Sequence, residues 1–131
     1  MLSLPPTVRV FLAPGATDMR KQFDGLAQVA RDVIKQDPLS GHLFVFCNRR
    51  RDRLKILVWD RSGFWLLAKR LEGGTFAWPT AAPKGERRVE MSGDELSALL
   101  AGFDIARIPR RRWWRRDPIV QESVEKSLVG S

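Results

Sequence analysis

Three residue types that carry much of protein chemistry are scarce in this chain: it has one cysteine, one histidine and no tyrosine among 131 residues. A single cysteine, Cys47, excludes an internal disulfide. Its place at the end of the apolar run Leu43-Phe44-Val45-Phe46 reads as a buried free thiol suited to a reducing compartment. One Cys and one His cannot build a tetrahedral zinc site. A serine or cysteine nucleophile usually needs an activating base, and His42, beside Gly41, reads as a solvated turn residue. No apolar stretch approaches the roughly 18 to 20 residues of a membrane span. The start Met1-Leu2-Ser3-Leu4-Pro5-Pro6 lacks the basic and apolar regions of a signal peptide, so the chain is expected to remain in the cytoplasm. Gly73-Gly74 lacks the spacing and the following Lys-Ser/Thr of a phosphate loop, and no cofactor is expected.

What the chain does have is positive charge, and its location is informative. The formal net charge is +8, from 23 Lys and Arg against 15 Asp and Glu. Arg49, Arg50, Arg51, Arg53 and Lys55 surround one acid, Asp52. Arg107, Arg110, Arg111, Arg112, Arg115 and Arg116 have none among them. Without these two segments, 12 bases face 14 acids, so the whole positive excess resides in them. That concentration is the footprint expected of polyanion binding, because arginine offers a planar fork of donors that fits phosphate oxygens. Trp113 and Trp114 lie inside the second cluster; two roles stay open for them, stacking on exposed bases and folding back onto the domain. Trp59, Trp65 and Trp78 are expected to be core or half-buried strand residues.

With 44% apolar and 29% charged residues, the composition fits one globular unit. Residues 1–108 read as an α+β domain and 109–131 as a flexible, basic Arg/Trp-rich tail. Thr7 to Leu12 predicts a first strand ended by Pro14-Gly15. Phe23, Leu26, Val29, Ala30, Val33 and Ile34 recur at helical spacing, with Thr17 or Asp18 as cap. Leu43 to Cys47, Leu54 to Trp59 and Gly63 to Lys69 predict three strands, Phe76-Ala77-Trp78-Pro79 a bent edge strand, and Arg87 to Met91 a short one. Ser92-Gly93-Asp94-Glu95 has capping-box spacing ahead of Leu96, Leu99 and Leu100. The predicted fold is an antiparallel β-sheet meander covered by one long helix, with a second short helix near an edge and a basic C-terminal tail. Leu26, Val29 and Val33 are expected to face Phe46, Ile56 and Val58.

The stretch Pro14-Gly15-Ala16-Thr17-Asp18-Met19-Arg20-Lys21-Gln22-Phe23-Asp24-Gly25-Leu26 resembles a block of a known bacterial family. So do Gly41-His42-Leu43-Phe44-Val45-Phe46, Lys55-Ile56-Leu57-Val58-Trp59-Asp60, Lys69-Arg70-Leu71-Glu72 and Phe76-Ala77-Trp78-Pro79. In order and together, these blocks resemble the accessory protein encoded by the second open reading frame of the insertion-sequence-sixty-six family of transposable elements. The resemblance implies a small cytoplasmic protein that supports transposition beside a separate, larger transposase. It carries over no catalytic or ligand residues.

The function expected is therefore a non-catalytic accessory protein of transposition that binds DNA through Arg49, Arg50, Arg51, Arg53 and Lys55, assisted by Arg110, Arg111, Arg112, Trp113, Trp114, Arg115 and Arg116. DNA contact follows from the charge, and association with the transposase or another accessory protein from the resemblance. The rival reading is an adaptor that docks the transposase, with DNA contact incidental. A metal-dependent nuclease would have to draw on Asp18, Asp24, Asp60 and Glu72. Local roles account for three of these: a helix cap for Asp18, a turn for Asp60 and a solvated or ion-paired site for Glu72.

Overall fold

The computed structural model describes residues 7–82 and 89–102 of the chain. Residues 1–6, 83–88 and 103–131 lie outside that description, and with them the predicted tail, including Arg110 to Arg116, Trp113 and Trp114.

Five strands form one sheet: β1 Val10–Leu12, β2 Leu43–Cys47, β3 Arg53–Trp59, β4 Phe64–Arg70 and β5 Val89–Met91, in the spatial order β4-β3-β2-β1-β5. The helices are α1, Phe23–Val29, and α2, Gly93–Leu100. The three consecutive strands β2, β3 and β4 do form the expected antiparallel meander. The sheet as a whole is mixed, however, which corrects the antiparallel expectation. β1 pairs in parallel with β2, Val10 opposite Leu43 and Leu12 opposite Val45, while β5 closes antiparallel on the other side of β1. The physical reason is the connection: adjacent parallel strands need a crossover, and α1 lies between β1 and β2 in sequence.

The long helix is also corrected. α1 has seven residues and continues for five more as a π turn, Ala30–Ile34, before Lys35 takes a left-handed conformation at φ 64°. The Ala30 carbonyl accepts from the Lys35 and Gln36 amides, so the last turn is widened. Gln22, not Thr17 or Asp18, occupies the N-cap, without a side-chain cap. The buried stripe is Leu26, Ala27, Ala30 and Ile34, packed on Phe11, Phe44, Phe46 and Leu57; Phe23 and Val33 are exposed.

Strand alternation sends the other set of side chains to the opposite face. There Val10, Leu12, Leu43, Val45, Cys47, Leu54 and Ile56 pack with Phe76, Trp78 and the α2 residues Leu96 and Leu99. Ile56 and Val58 therefore belong to the α2 face, and the expected contact from α1 falls on Phe46 and Leu57 instead. Both faces being covered explains why all five residues of β2 are buried. On its own face α2 shares the core with residues of β1, β2, β3 and β5.

The capping box is present as expected: the Glu95 amide donates to Ser92 Oγ at 3.1 Å, and the Ser92 amide to Glu95 Oε1 at 2.7 Å. At the other end of α2, Lys69 Nζ donates to the Leu100 carbonyl at 2.7 Å, a cation at the negative end of a helix. Phe76 to Pro79 form no strand. Trp78 is buried and Trp59 partly so, as expected, whereas Trp65 is exposed, against the expectation.

His42 is partly buried and holds a structural position. Its Nδ1 accepts from the Arg9 amide at 3.0 Å, and its ring meets Phe11 edge-on at 5.6 Å. Burial, then the Arg9 charge, lower its pKa below the ordinary value of 6.5. A base with a depressed folded pKa contributes stability that is complete above the unfolded pKa and is lost as pH falls toward the folded one. Melting compared at about pH 7.5 and about pH 5 should show a loss on acidification that His42→Asn lacks, since the amide oxygen accepts without titrating. An equal loss in both proteins would place the sensitivity elsewhere.

Candidate nucleic-acid interface

Because β1 and β2 run in parallel, their carboxyl ends open on the same end of the sheet, where α/β proteins commonly place binding sites. Two segments meet there: the chain after β1, from Ala13 to Gln22, and the β2–β3 loop, from Asn48 to Asp52. The Thr17 amide donates to the Cys47 carbonyl at 2.8 Å, which fastens one to the other. Ala16, Thr17, Asp18 and Met19 on one side and Asn48, Arg49 and Arg50 on the other line an open cleft of about 390 Å³.

The β2–β3 loop is built by Asn48 and Asp52. Asn48 Oδ1 accepts from the Asp52 and Arg53 amides, both at 3.0 Å, and Asn48 Nδ2 donates to Asp52 Oδ1 at 2.8 Å. The Arg51 amide reaches back to the Asn48 carbonyl at 3.1 Å, and Arg51 takes the left-handed φ of 63° that closes the turn. Outside contacts hold it in place: the Arg51 carbonyl accepts from the Phe76 amide at 2.7 Å and the Asp52 carbonyl from the Leu71 amide at 2.8 Å. The Asp52 carboxyl is held below its ordinary range by the Asn48 hydrogen bond first and by Arg50 and Arg53 with smaller effect. The one acid of the loop is thus committed to the loop's own geometry.

Among the described residues the loop arginines make no close ion pair, although Arg50 and Arg53 act on Asp52 through space. Arg49, Arg50, Arg51 and Arg53 are all exposed. Lys55 differs. Its Nζ donates to the Met19 carbonyl at 2.8 Å and the Lys21 carbonyl at 3.0 Å, so it anchors the entry to α1. Arg53, Lys55, Lys69 and Arg70 border a second cleft of about 520 Å³ on the flank, where Arg70 pairs with Glu72 at 3.1 Å. The structure brings Arg49, Arg50, Arg51 and Arg53 together at one end of the sheet. Arg110, Arg111, Arg112, Trp113, Trp114, Arg115 and Arg116 lie outside the described residues.

Acids suggested by residue type alone are spent locally. Asp18 holds Arg20 through side chain and amide, which lowers its pKa to about 2. Asp60 lies at the opposite end of β3, accepting from Ser62, Gly63 and Trp65 Nε1. Among the described residues no group of three or more His, Cys, Asp or Glu is placed to hold a metal ion. Burial pushes the Cys47 thiol up to about 12, so it carries no thiolate at neutral pH.

Sequence reasoning missed Asn48 and the segment Phe76 to Pro79. Trp78 Nε1 donates to the Ala13 and Gly15 carbonyls, at 3.1 and 3.0 Å, and the Gly15 amide donates to the Pro79 carbonyl at 3.0 Å. The Pro14-Gly15 and Phe76-Ala77-Trp78-Pro79 blocks, distant in sequence, are thus neighbours behind the basic loop. An Asn opening a polar loop, in reach of an Asp four residues on, was the available signal for Asn48.

Fold and site together define a small α/β domain that presents a cluster of exposed arginines at the carboxyl ends of its parallel strands. Its sequence specifies the family: residues 8–110 match the family described as IS66 Orf2 like protein, and the chain belongs to it. It is thereby an accessory protein of a bacterial insertion sequence. Two relatives come from Sinorhizobium fredii. The uncharacterized protein y4hO is 42% identical over 113 residues, covering 86% of this chain and 95% of that protein. The uncharacterized protein y4jC is 36% identical over 104 residues, covering 79% and 86%. No solved structure matches the chain. Among the described residues no helix is long and apolar enough to cross a membrane.

Proposed function

We propose that this accessory protein supports transposition by contacting DNA phosphates through Arg49, Arg50, Arg51 and Arg53, without performing strand chemistry itself. The observation that carries the reading is the Asn48–Asp52 lock: it fixes the loop through the Asn48 amide and ties the loop's one acid into the turn. Four guanidinium groups are left facing solvent on an ordered backbone. The contact is to the backbone of the nucleic acid, which positions a protein without reading sequence. In this reading Arg110, Arg111, Arg112, Arg115 and Arg116 supply further phosphate contacts, and Trp113 and Trp114 stack on unpaired bases. Lys55 acts indirectly, by holding the chain after β1 against the loop.

The test compares full-length protein on element-end duplex, unrelated duplex and single strands at fixed salt, beside capture of the element's transposase. The reading expects both duplexes to bind with Kd on the order of 1–100 µM at physiological salt and similar affinity. With magnesium or manganese added, the strands should stay intact. Capture of transposase with no nucleic-acid binding at low salt would replace the reading with that of an adaptor.

A further inference from the structure

Among the described residues the two edges of the sheet are unlike. β5 offers three residues, whereas β4 offers seven in uninterrupted register with β3, free of Pro, Gly or a bulge. Exposed sheet edges are ordinarily shortened, bulged or charged along their length, because a regular one recruits further strands. On β4 the charges Lys69 and Arg70 stand at one end only, and the middle carries Trp65 and Leu67, 61% and 48% exposed although they lie opposite Val58 and Ile56 on the same face of the sheet as α2.

The hydrogen-bond phase of this edge is fixed. The Asp60 amide donates to the Gly63 carbonyl and the Leu71 amide to the Asp52 carbonyl, so with the β3–β4 register Trp65, Leu67 and Lys69 turn their backbone groups to β3. Phe64, Leu66, Ala68 and Arg70 turn theirs outward. We infer that a second copy of this chain adds antiparallel along β4, with Leu67 facing the same residue of the other copy across the two-fold axis.

The self-pairing is complementary residue by residue. Centred on Leu67, all seven residues of both strands overlap, and the outward residues form the hydrogen-bonded pairs, Leu66 with Ala68 and Phe64 with Arg70. Lys69, whose Nζ also donates to the Leu100 carbonyl, falls opposite Trp65, whose indole N–H holds Asp60 at 2.6 Å, so a cation stands across from a ring and a carboxylate. Arg70 falls opposite Phe64 and not opposite another base. The antiparallel arrangement also sends the two basic loops to opposite ends of the joined strands, which limits repulsion between chains of net charge +8. A foreign strand could use the same edge, but only a copy of β4 brings this matching set of partners. The inference stands independently of DNA binding.

Full-length protein should dimerise in light scattering and sedimentation. Leu67→Glu sets two carboxylates face to face and removes the central contact, and should weaken the dimer about tenfold or more. Trp65→Glu places its carboxylate opposite Lys69 and should leave the dimer largely intact. Leu67→Cys forms a non-hydrogen-bonded pair with Cα atoms about 4.5 Å apart, within disulfide range, and should cross-link on mild oxidation. Trp65→Cys, about 13 Å from its own counterpart in this register, should not. A chain that stays monomeric up to about 0.1 mM overturns the inference. So does a dimer unaffected by Leu67→Glu, or cross-linking as fast at 65 as at 67.

Discussion

Replacing Arg49, Arg50, Arg51 and Arg53 together by Gln should flatten the dependence of log affinity on log salt by about 2 to 4 units on duplex DNA. Each phosphate contact displaces condensed counterions and contributes roughly 0.9 to that slope. The upper figure assumes that every guanidinium reaches a phosphate, the lower that about half do. Specific and unrelated duplexes should change alike, since phosphates carry no sequence information. The loop should survive the substitution: its hydrogen bonds come from Asn48, Asp52 and backbone groups, and the positive φ at Arg51 is met equally well by Gln. Lys55→Gln should behave differently, with little change in slope and reduced stability, because its ammonium serves two backbone carbonyls. An unchanged slope in the four-Gln protein, with unfolding as in the parent, would remove the phosphate-contact reading.

Trp78→Ala should produce the largest loss of stability, about 3–5 kcal/mol, from the cavity left by a buried indole. Trp78 is 5% exposed, packs in the core beneath α2, and its N–H serves two carbonyls of the chain after β1. For a domain stabilised by roughly 5–15 kcal/mol this is a large fraction of the total. Trp78→Phe keeps most of the volume but strands the Ala13 and Gly15 carbonyls, and should cost about 1–3 kcal/mol. Urea titration of the three proteins gives both numbers. A Trp78→Ala midpoint equal to the parent's would mean that Phe76 to Pro79 only lie on the surface.

Local patterns were legible because their causes are local. The meander from Leu43 to Arg70 showed in alternation and turn residues, and α2 in its capping box. The basic loop showed in charge density alone. The parallel pairing of β1 with β2 was implied by the helix between them, yet the sheet was read as a simple meander. β5 joins β1 across a long stretch of chain, a pairing no neighbouring residue encodes. The stripe on α1 was misphased because the π turn from Ala30 shifts which side chains face inward, leaving Val33 outside and Ile34 inside. Asn48 escaped notice because its role depends on Asp52 and Arg53 folding back toward it. The arginines were visible; the Asn48–Asp52 framework that shapes their loop was not.

β1 is made first and yet sits in the interior of the sheet, between strands supplied from positions 43–47 and 89–91. A nascent chain can assemble the hairpins of β2, β3 and β4 from near neighbours, but β1 gains its second partner only when β5 has emerged. α2 follows within two residues of β5 and packs on one face of the sheet, in the core that holds Leu12, Val45 and Ile56. The last step of folding is therefore also the one that shields the core, and contacts of such long sequence separation close slowly. Until then Leu12, Val45 and Ile56 have only Phe76 and Trp78 to cover them on that face, and a ribosome pausing before Val89 would hold a chain prone to aggregate.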